Sequence, residues 1–244
     1  MKPESSSKDF SGIMLRPGDI IPYVDMCKAE GLALQHGMNF RLGKSYSVIL
    51  MSVRPGAPYA DRVEENGRVL IYEGHDVPRT RLGPDPKSID QPLATPAGKL
   101  TQNGFFVEAA RKFVEGQVQG ELVKVYEKIK AGIWAFAGVF KLIDTWEEPS
   151  GGRKVFKFKL ELVHAPKSRS GREIEDLTSN RMIPASVKLE VWKRDKGRCV
   201  KCGRRDNLHF DHILPYSKGG SSLVAENIQL LCARHNLAKH DKIE

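Results

Sequence analysis

Cysteine is scarce in this chain and unevenly placed. Only four cysteines occur among 244 residues, and Cys199, Cys202 and Cys232 all lie near the C-terminal end. A disulfide framework would need paired cysteines along the chain, so the composition argues against one and fits a reducing compartment. The remaining Cys27 is expected to be a buried apolar residue.

Long apolar runs and internal repeats are also missing. No stretch approaches the roughly 18 apolar residues that a membrane-spanning helix needs. The polar, serine-rich start of the chain, residues 1–12, contains no apolar run. The sequence therefore predicts no membrane partner and a cytoplasmic location.

Acidic residues are outnumbered by basic ones. The chain has 39 Lys and Arg against 30 Asp and Glu, a formal net charge of +9. This excess favours a polyanionic partner, because phosphates neutralised by basic groups release their counterions. Charge alone leaves open a merely soluble basic protein, so the motifs must decide.

The chain divides around a basic segment marked by proline and glycine. Strand-like alternation ends near residue 162 and gives way to Ala165-Pro-Lys-Ser-Arg-Ser-Gly-Arg, which is typical of a linker. We predict three parts: an N-terminal domain over residues 1–165, a linker over 166–185 and a C-terminal domain over 186–244.

The pattern of the N-terminal part is dominated by strands. Residues 46–52 and 68–72 are apolar and β-branched, and residues 155–162 alternate apolar with charged side chains. Residues 104–117 place phenylalanine and alanine along one helical face, which predicts a helix packed on the core.

The C-terminal part predicts a short helix followed by a ββα unit. Ser186 is a candidate N-cap for a helix through Trp192. Residues 208–211 and 228–231 read as two strands, and a final helix is predicted from Cys232 onward. With the N-terminal strands, the expected fold class is α+β.

Four candidate metal ligands occur as two matched pairs. Cys199-Val-Lys-Cys202 is answered by Cys232-Ala-Arg-His235 with the same separation. Three thiolates and an imidazole are what a closed tetrahedral zinc site requires. We predict structural Zn²⁺ bound by Cys199, Cys202, Cys232 and His235, with no catalytic role.

Harder ligands and a base lie beside these pairs. Asp211 and Asn236 offer oxygen atoms to a divalent cation, and His212 can take a proton near neutral pH. On a helix Asn236 can face the hairpin, and Lys239, one turn further on, is a candidate phosphate contact. Adjacent strand residues point to opposite faces, so Asp211 and His212 converge only if the strand ends or bends there.

These residues belong to a longer ordered pattern. It runs Cys-x-x-Cys, Asp-His-Ile-x-Pro, Gly-Gly, Glu-Asn-Ile-Gln-Leu-Leu-Cys and His-Asn-x-x-Lys. With this pattern, residues 187–242 resemble an HNH endonuclease domain of the ββα-metal type. The resemblance implies that His212 is the general base and that Asp211 and Asn236 hold a catalytic Mg²⁺ or Mn²⁺. It also implies that Asn227 braces the loop or orients the base. One such site cuts one strand, so a homodimer is compatible with a double-strand break.

Several short segments of the N-terminal part form a second pattern. They are Ser47-Val-Ile-Leu50, Tyr59-Ala-Asp61, Asn66-Gly67, Ile71-Tyr72-Glu-Gly74, Asp90-Gln-Pro-Leu93 and Gly138-Val-Phe-Lys-Leu-Ile-Asp-Thr-Trp-Glu-Glu148. With them, most of residues 10–165 resemble an SRA (SET- and RING-associated) domain of the PUA-like superfamily. The resemblance implies a twisted β-barrel with flanking helices that reads modified cytosine.

The same resemblance implies a pocket for a flipped base. Tyr59 and Tyr72 match the two stacking rings, and Asp61 is the candidate acceptor for the cytosine amino group, although Arg62 can occupy that position instead. Without the resemblance, the two tyrosines fit cross-strand packing. Arg54 replaces part of the family's Gly-Gly, which allows a pocket retuned toward 5-hydroxymethylcytosine. Arg54, Arg62, Arg79 and Arg81 are candidates for filling the gap left in the duplex.

Together the two resemblances imply a modification-dependent restriction endonuclease of the type IV-like, McrA-like kind. Its expected partner is double-stranded DNA that contains 5-methylcytosine or 5-hydroxymethylcytosine. Two alternatives stay open: an HNH endonuclease that cuts regardless of modification, and a non-catalytic protein that binds modified DNA.

Overall fold

The computed structural model describes residues 15–53, 56–163, 183–215 and 218–239. In these ranges, four helices accompany two β-sheets. The helices are α1 (Tyr23–Glu30), α2 (Gln102–Val114), α3 (Ala185–Arg194) and α4 (Ala233–Lys239). The strands are β1 (Ile20–Pro22), β2 (Met38–Asn39), β3 (Ser47–Met51), β4 (Arg62–Glu64), β5 (Val69–Glu73), β6 (Leu122–Lys130), β7 (Ile133–Ser150), β8 (Arg153–Leu162), β9 (Leu208–His212) and β10 (Ile228–Cys232). The predicted α+β class is confirmed, and most of the predicted linker, residues 166–185, lies outside the described residues.

The N-terminal part is built on one eight-stranded sheet. Its strand order is β2-β3-β6-β7-β8-β5-β4, with β1 added alongside β7. Strand β3 runs parallel to β6, whereas the other described neighbours are antiparallel. The strands predicted at residues 46–52, 68–72 and 155–162 are confirmed as β3, β5 and β8.

Apolar residues at alternate positions of β8 place one face of the strand in the core. Phe156, Phe158 and Leu160 are buried in the main apolar cluster. Lys157, between them, is also buried, because its Nζ lies 2.8 Å from a carboxylate oxygen of Glu73 on β5. A buried ammonium needs such a partner, so the two strands are joined by charge as well as by backbone hydrogen bonds.

Helix α2 packs on this sheet through the apolar face that the sequence predicts. Phe106 and Ala110 are fully buried in the core. The helix begins two residues before the predicted start, because the Thr101 hydroxyl caps it by accepting a hydrogen bond from the Gly104 N–H at 3.2 Å. It ends at Val114, earlier than predicted, and Gly116 follows with a left-handed φ of 72°.

Two local expectations are wrong. The third helix begins at Ala185 after Pro184, whose side chain makes no capping hydrogen bond, so Ser186 is not the N-cap. Proline supplies the extended backbone of an N-cap position without a side-chain acceptor. Cys27 on α1 is half-buried rather than buried, and it packs at the margin of an apolar cluster. No helix in the described part of the chain is long and apolar enough to span a membrane.

The C-terminal residues form the predicted ββα unit. Strands β9 and β10 pair antiparallel, with His212 opposite Ile228 and Asp211 opposite Gln229. Helix α4 follows β10 directly, and α3 packs against the same hairpin. This order brings the end of β9 and the start of α4 into one small unit.

The C-terminal unit shares an apolar cluster with the large sheet. Ile129 and Ala135 from the sheet join Val191 of α3 and Phe210 of β9 in this cluster. Nearby, His209 Nδ1 lies 2.5 Å from an Asp19 carboxylate oxygen. The contact between the two units therefore combines apolar packing with a polar contact.

A buried ion pair crosses the same contact. Lys188 Nζ on α3 lies 2.5 Å from Glu127 Oε2 on β6. Glu127 is 0% exposed and Lys188 2% exposed. Neither charge can turn to water if its partner is lost, so the pair makes each side chain dependent on the other.

Replacement of Lys188 by methionine is expected to destabilise the protein by about 3–5 kcal/mol, because it leaves the Glu127 carboxylate buried and unpaired. Denaturant unfolding followed by circular dichroism measures this change. The double variant Glu127→Leu/Lys188→Met should recover most of the loss. Lys193→Met, at the exposed end of the same helix, should change stability by no more than about 0.5 kcal/mol. Equal effects at positions 188 and 193 would contradict this interpretation.

Candidate functional site

Two aromatic rings are stacked at the edge of the large sheet. Tyr59 and His75 have ring centroids 5.5 Å apart and an interplanar angle of 16°. The His75 Nε2 atom lies 3.1 Å from the Tyr72 hydroxyl. Tyr72 itself is 1% exposed and belongs to the main core cluster. The ring that faces Tyr59 is thus His75, while Tyr72 lies beneath it.

The backbone of His75 is held by Asn103, and its ring is uncharged at neutral pH. Its backbone N–H donates to Asn103 Oδ1 at 2.8 Å, and its carbonyl accepts from Asn103 Nδ2 at 2.8 Å. Burial lowers the pKa of His75 to about 4, and the charge of nearby His36 acts in the same direction. Sequence reasoning missed this residue, although it comes two residues after the end of β5.

Asp61 and Arg62 point to different surroundings. The Asp61 carboxylate accepts hydrogen bonds from the backbone N–H of Glu73 at 2.9 Å and of Ser52 at 3.4 Å. Burial raises the pKa of Asp61 to about 7, and its charge in turn helps to raise the pKa of Tyr72 after the larger effect of burial. The Arg62 side chain is exposed and pairs with Glu64 at 2.7 Å. Of the two, Asp61 is the one near the aromatic rings.

Charged side chains surround the Tyr59 ring. The Lys87 ammonium lies 4.3 Å from the ring centroid and 2.9 Å from an Asp76 carboxylate oxygen. Of the loop arginines, Arg79 is exposed and lies 3.5 Å from Asp85, Arg81 is exposed, and Arg54 lies outside the described residues.

The four predicted zinc ligands converge in the C-terminal unit. Their ligand atoms all lie within 4.8 Å of one another. The Sγ atoms of Cys202 and Cys232 are 3.8 Å apart, and His235 Nδ1 lies 3.3 Å from Cys199 Sγ and 3.4 Å from Cys232 Sγ. Zinc bonds of about 2.3 Å to sulfur and 2.0–2.1 Å to nitrogen give ligand separations close to these in a tetrahedron. The arrangement therefore suits a structural zinc ion.

The surroundings of Cys199 favour the thiolate form that binds metal. Burial opposes ionisation, but backbone N–H groups of Cys232 and Cys202 and the His235 ring together lower the pKa of Cys199 to about 6. Gly203, with a φ of 72°, donates its N–H to the Cys199 carbonyl at 2.8 Å. This tight turn brings Cys199 and Cys202 to one side of the loop.

His212 is the last residue of β9 and is largely enclosed. Its Nε2 lies 2.8 Å from the hydroxyl of buried Ser222. Burial lowers the pKa of His212 below its ordinary value, although the charge of Asp211 opposes this shift. The imidazole is therefore neutral at neutral pH and able to accept a proton.

Asn227 braces the loop that carries Ser222. Its Oδ1 accepts from the Leu214 N–H at 2.8 Å, and its Nδ2 donates to the carbonyls of Leu214 and Ser221, each at 3.0 Å. A Cβ atom at Gly220 would lie 1.8 Å from the Leu214 carbonyl oxygen, so only glycine fits there. Ser222 was missed from the sequence, because its role depends on how this loop closes.

The C-terminal part of the chain matches a known protein family. Residues 199–242 match the family described as HNH endonuclease. The C-terminal unit is an HNH endonuclease domain. A search of curated proteins found no match for the chain.

Solved structures similar to the chain include two of the SUVH5 SRA domain. The complex with fully methylated CG DNA is 25% identical, covers 62% of this chain and 91% of that chain, and gives a TM-score of 0.42. The complex with fully hydroxymethylated CG DNA is 24% identical over 62% and 91%, with a TM-score of 0.43. The type IV phosphorothioation-dependent restriction endonuclease ScoMcrA is 16% identical over 94% of this chain and 57% of that chain, with a TM-score of 0.42.

The HNH domain also contains two oxygen atoms that contact the ammonium group of a lysine. Lys239 Nζ lies 2.6 Å from Asp211 Oδ2 and contacts the His212 carbonyl oxygen. Carboxylate and carbonyl oxygens are the ligands that Mg²⁺ and Mn²⁺ prefer, so this position fits the divalent cation that an HNH domain uses. Asn236 lies on α4 one turn before Lys239 and is partly buried.

The location of Lys239 differs from what a phosphate contact requires. The sequence predicts that its ammonium binds DNA, but its side chain is 2% exposed and is directed at Asp211. A phosphate contact would require the side chain to leave this position.

Proposed function

We propose that the chain is a modification-dependent DNA endonuclease. Its N-terminal part binds a flipped, modified cytosine beside Tyr59, and its HNH domain hydrolyses a nearby phosphodiester bond. The nuclease assignment is carried by the match of residues 199–242 to the HNH family. It is supported by His212, whose pKa is lowered by burial, and by the adjacent Asp211, whose carboxylate holds the Lys239 ammonium.

In the proposed reaction His212 activates water. Its Nε2 is engaged with Ser222, so Nδ1 is the ring nitrogen that would take the proton. Asp211 and Asn236 would hold Mg²⁺ or Mn²⁺, which when bound neutralises the scissile phosphate and stabilises the departing oxygen. Asn227 keeps the Ser222 loop in place, and Zn²⁺ held by the Cys₃His cluster would join β10 and α4 to the rest of the domain.

The proposed reader pocket uses the aromatic pair. A base between two rings needs roughly 7 Å between them, twice the usual contact distance of about 3.5 Å. Tyr59 and His75 are closer than this, so base entry would shift the His75 ring or take its place on Tyr59. Tyr72 would line the bottom of the pocket, and the Asp61 carboxylate would accept from the cytosine amino group. Stacking would offset much of the few kcal/mol that base extraction costs.

The proposed partner is double-stranded DNA carrying 5-methylcytosine or 5-hydroxymethylcytosine. The excess of basic residues supplies affinity that does not depend on sequence. One base and one cation site cut one strand per engagement, so a double-strand break requires a homodimer or two successive encounters.

A cleavage assay on matched plasmids tests this function. Unmodified, 5-methylcytosine and 5-hydroxymethylcytosine DNA are incubated with the full chain and Mg²⁺ or Mn²⁺, and nicked and linear products are separated on gels. We expect cutting only of modified DNA. Tyr59→Ala should lower affinity for modified DNA about 5- to 150-fold in anisotropy titrations, since stacking contributes about 1–3 kcal/mol per base. Tyr59→Phe, which keeps the ring, is the matched control.

The other outcomes separate the alternatives. Equal cutting of all three plasmids would leave the nuclease and reject dependence on modification. Tight binding to modified DNA without any metal-dependent cutting would instead identify a non-catalytic reader. Equal affinities for Tyr59→Ala and Tyr59→Phe would show that the Tyr59 ring does not stack on the base.

A further inference from the structure

The ammonium group of a lysine of the HNH domain lies at the place proposed for the catalytic metal. Lys239, at the C-terminal end of α4, directs its ammonium to Asp211 Oδ2 at 2.6 Å and to the His212 carbonyl oxygen. With its side chain 2% exposed, this ammonium is almost entirely removed from water. Such a charge needs its partners, so Lys239 and Asp211 are bound to each other in the free protein.

A divalent ion and this ammonium cannot share the carboxylate in these positions. Mg²⁺ binds oxygen ligands at about 2.0–2.1 Å. An ion bound to Asp211 Oδ2 at that distance would meet Nζ within a few ångströms, where the repulsion of like charges in a partly buried site is strong. Metal binding at Asp211 therefore requires the Lys239 ammonium to leave.

We propose that Lys239 competes with the catalytic divalent cation for Asp211 and, once displaced, binds the DNA phosphate. This inference rests on the proposed function, because it takes Asp211 as a metal ligand. The lysine side chain is a compact charge on a flexible four-carbon stem, which can move from a carboxylate to a phosphate at the same site. The predicted phosphate contact is then a property of the DNA-bound state.

The exchange makes metal and DNA binding depend on each other. In the free protein, metal binding must break the contact of the Lys239 ammonium with Asp211, so the metal binds weakly. When DNA is present the phosphate receives the ammonium, so the metal binds more tightly, and by linkage the metal strengthens DNA binding by the same factor. The site would then bind its metal mainly when substrate is in place.

Calorimetric titration with Mn²⁺ tests the proposal without relying on activity. The full chain is used with zinc bound, in a His212→Ala background that keeps the backbone carbonyl of residue 212 and is expected to cut far more slowly. Mn²⁺ affinity is measured with and without a short modified duplex. We expect DNA to tighten Mn²⁺ binding about tenfold or more, within the usual range of coupling between sites.

Lys239→Met in the same background provides the decisive comparison. It should bind Mn²⁺ about tenfold more tightly than its parent without DNA, and DNA should tighten it much less. Lys193 is an exposed lysine of the same domain, and Lys193→Met should bind Mn²⁺ with the same affinity as the parent. Asp211→Asn corrects for Mn²⁺ bound by the duplex itself.

Two results would overturn the inference in different ways. If Lys239→Met binds Mn²⁺ no better than its parent without DNA, Lys239 does not compete for the site, although the proposed nuclease function stands. If neither the parent nor Lys239→Met binds more Mn²⁺ than Asp211→Asn, even with DNA, then Asp211 is not a metal ligand and the proposed mechanism fails as well.

Discussion

Replacement of His212 by alanine is expected to lower the rate of DNA cleavage by about 10²- to 10⁴-fold, the usual contribution of a general base. Affinity for DNA should stay within about threefold, because His212 acts on the attacking water as a neutral ring and holds no phosphate by charge. Single-turnover cleavage of supercoiled plasmid at saturating Mg²⁺ measures the rate, and anisotropy measures the affinity.

The pH profile gives this prediction a second readout. A base works only when deprotonated, so cleavage should rise as the pH passes upward through the pKa of His212. Burial lowers that pKa below its ordinary value of about 6.5, so the rise should lie on the acid side of 6.5 and the rate should be level at neutral pH. In His212→Ala this rise should disappear.

The control for His212→Ala lies in the loop beside it. Ser222→Ala removes the hydroxyl that holds Nε2 but keeps the ring, so the loss of rate should be smaller than in His212→Ala. Added imidazole should restore part of the cleavage by His212→Ala and none of that by Asp211→Asn. Cleavage by His212→Ala within tenfold of the wild-type rate would reject His212 as the base.

The features predictable from sequence are those fixed by short-range patterns. The spacing of Cys199, Cys202, Cys232 and His235 predicts one tetrahedral cluster, and the described ligand atoms do converge. Alternation predicts strand β8, and the phenylalanine pattern predicts α2, because each element buries one face against the same core.

The features that sequence did not reveal depend on contacts between distant parts of the chain. His75 meets Tyr59 only because β5 and the segment before β4 lie side by side. Ser222 reaches His212 only because Asn227 and Gly220 close the intervening loop. No periodicity encodes either contact.

The contact of Lys239 with Asp211 is also only partly predictable from the sequence. Helical spacing places Lys239 on the side of α4 that faces the hairpin, so its proximity to the site is predictable. Its partner is not, because a lysine there can reach either a protein carboxylate or a bound phosphate. The choice of Asp211 follows from how deeply α4 packs on β9, which buries the ammonium.

Loss of the proposed zinc ion is expected to unfold the HNH domain and leave the large sheet intact. The domain consists of a two-stranded hairpin, a seven-residue helix and α3, and an isolated hairpin of this size is at best marginally stable. Structural zinc contributes about 10–16 kcal/mol in comparable small units. Amide hydrogen exchange read by mass spectrometry should therefore show lost protection in β9, β10 and α4 but retained protection in β6, β7 and β8.

Replacement of Cys202 by serine removes this zinc ion with the least disturbance of packing. Cys199 and Cys232 are buried, so their replacement would disturb packing as well as ligation, whereas Cys202 is exposed and its loss acts through the metal. Chelators would also remove the catalytic cation, which the substitution avoids.

Cys27→Ser, outside the cluster, should keep one zinc per chain and full cleavage. Because the proposed reader pocket lies on the large sheet, Cys202→Ser should still bind modified DNA without cutting it. Full protection of β9 and β10 in zinc-free Cys202→Ser would instead show that the apolar contact with Ile129 and Ala135 suffices to hold the domain.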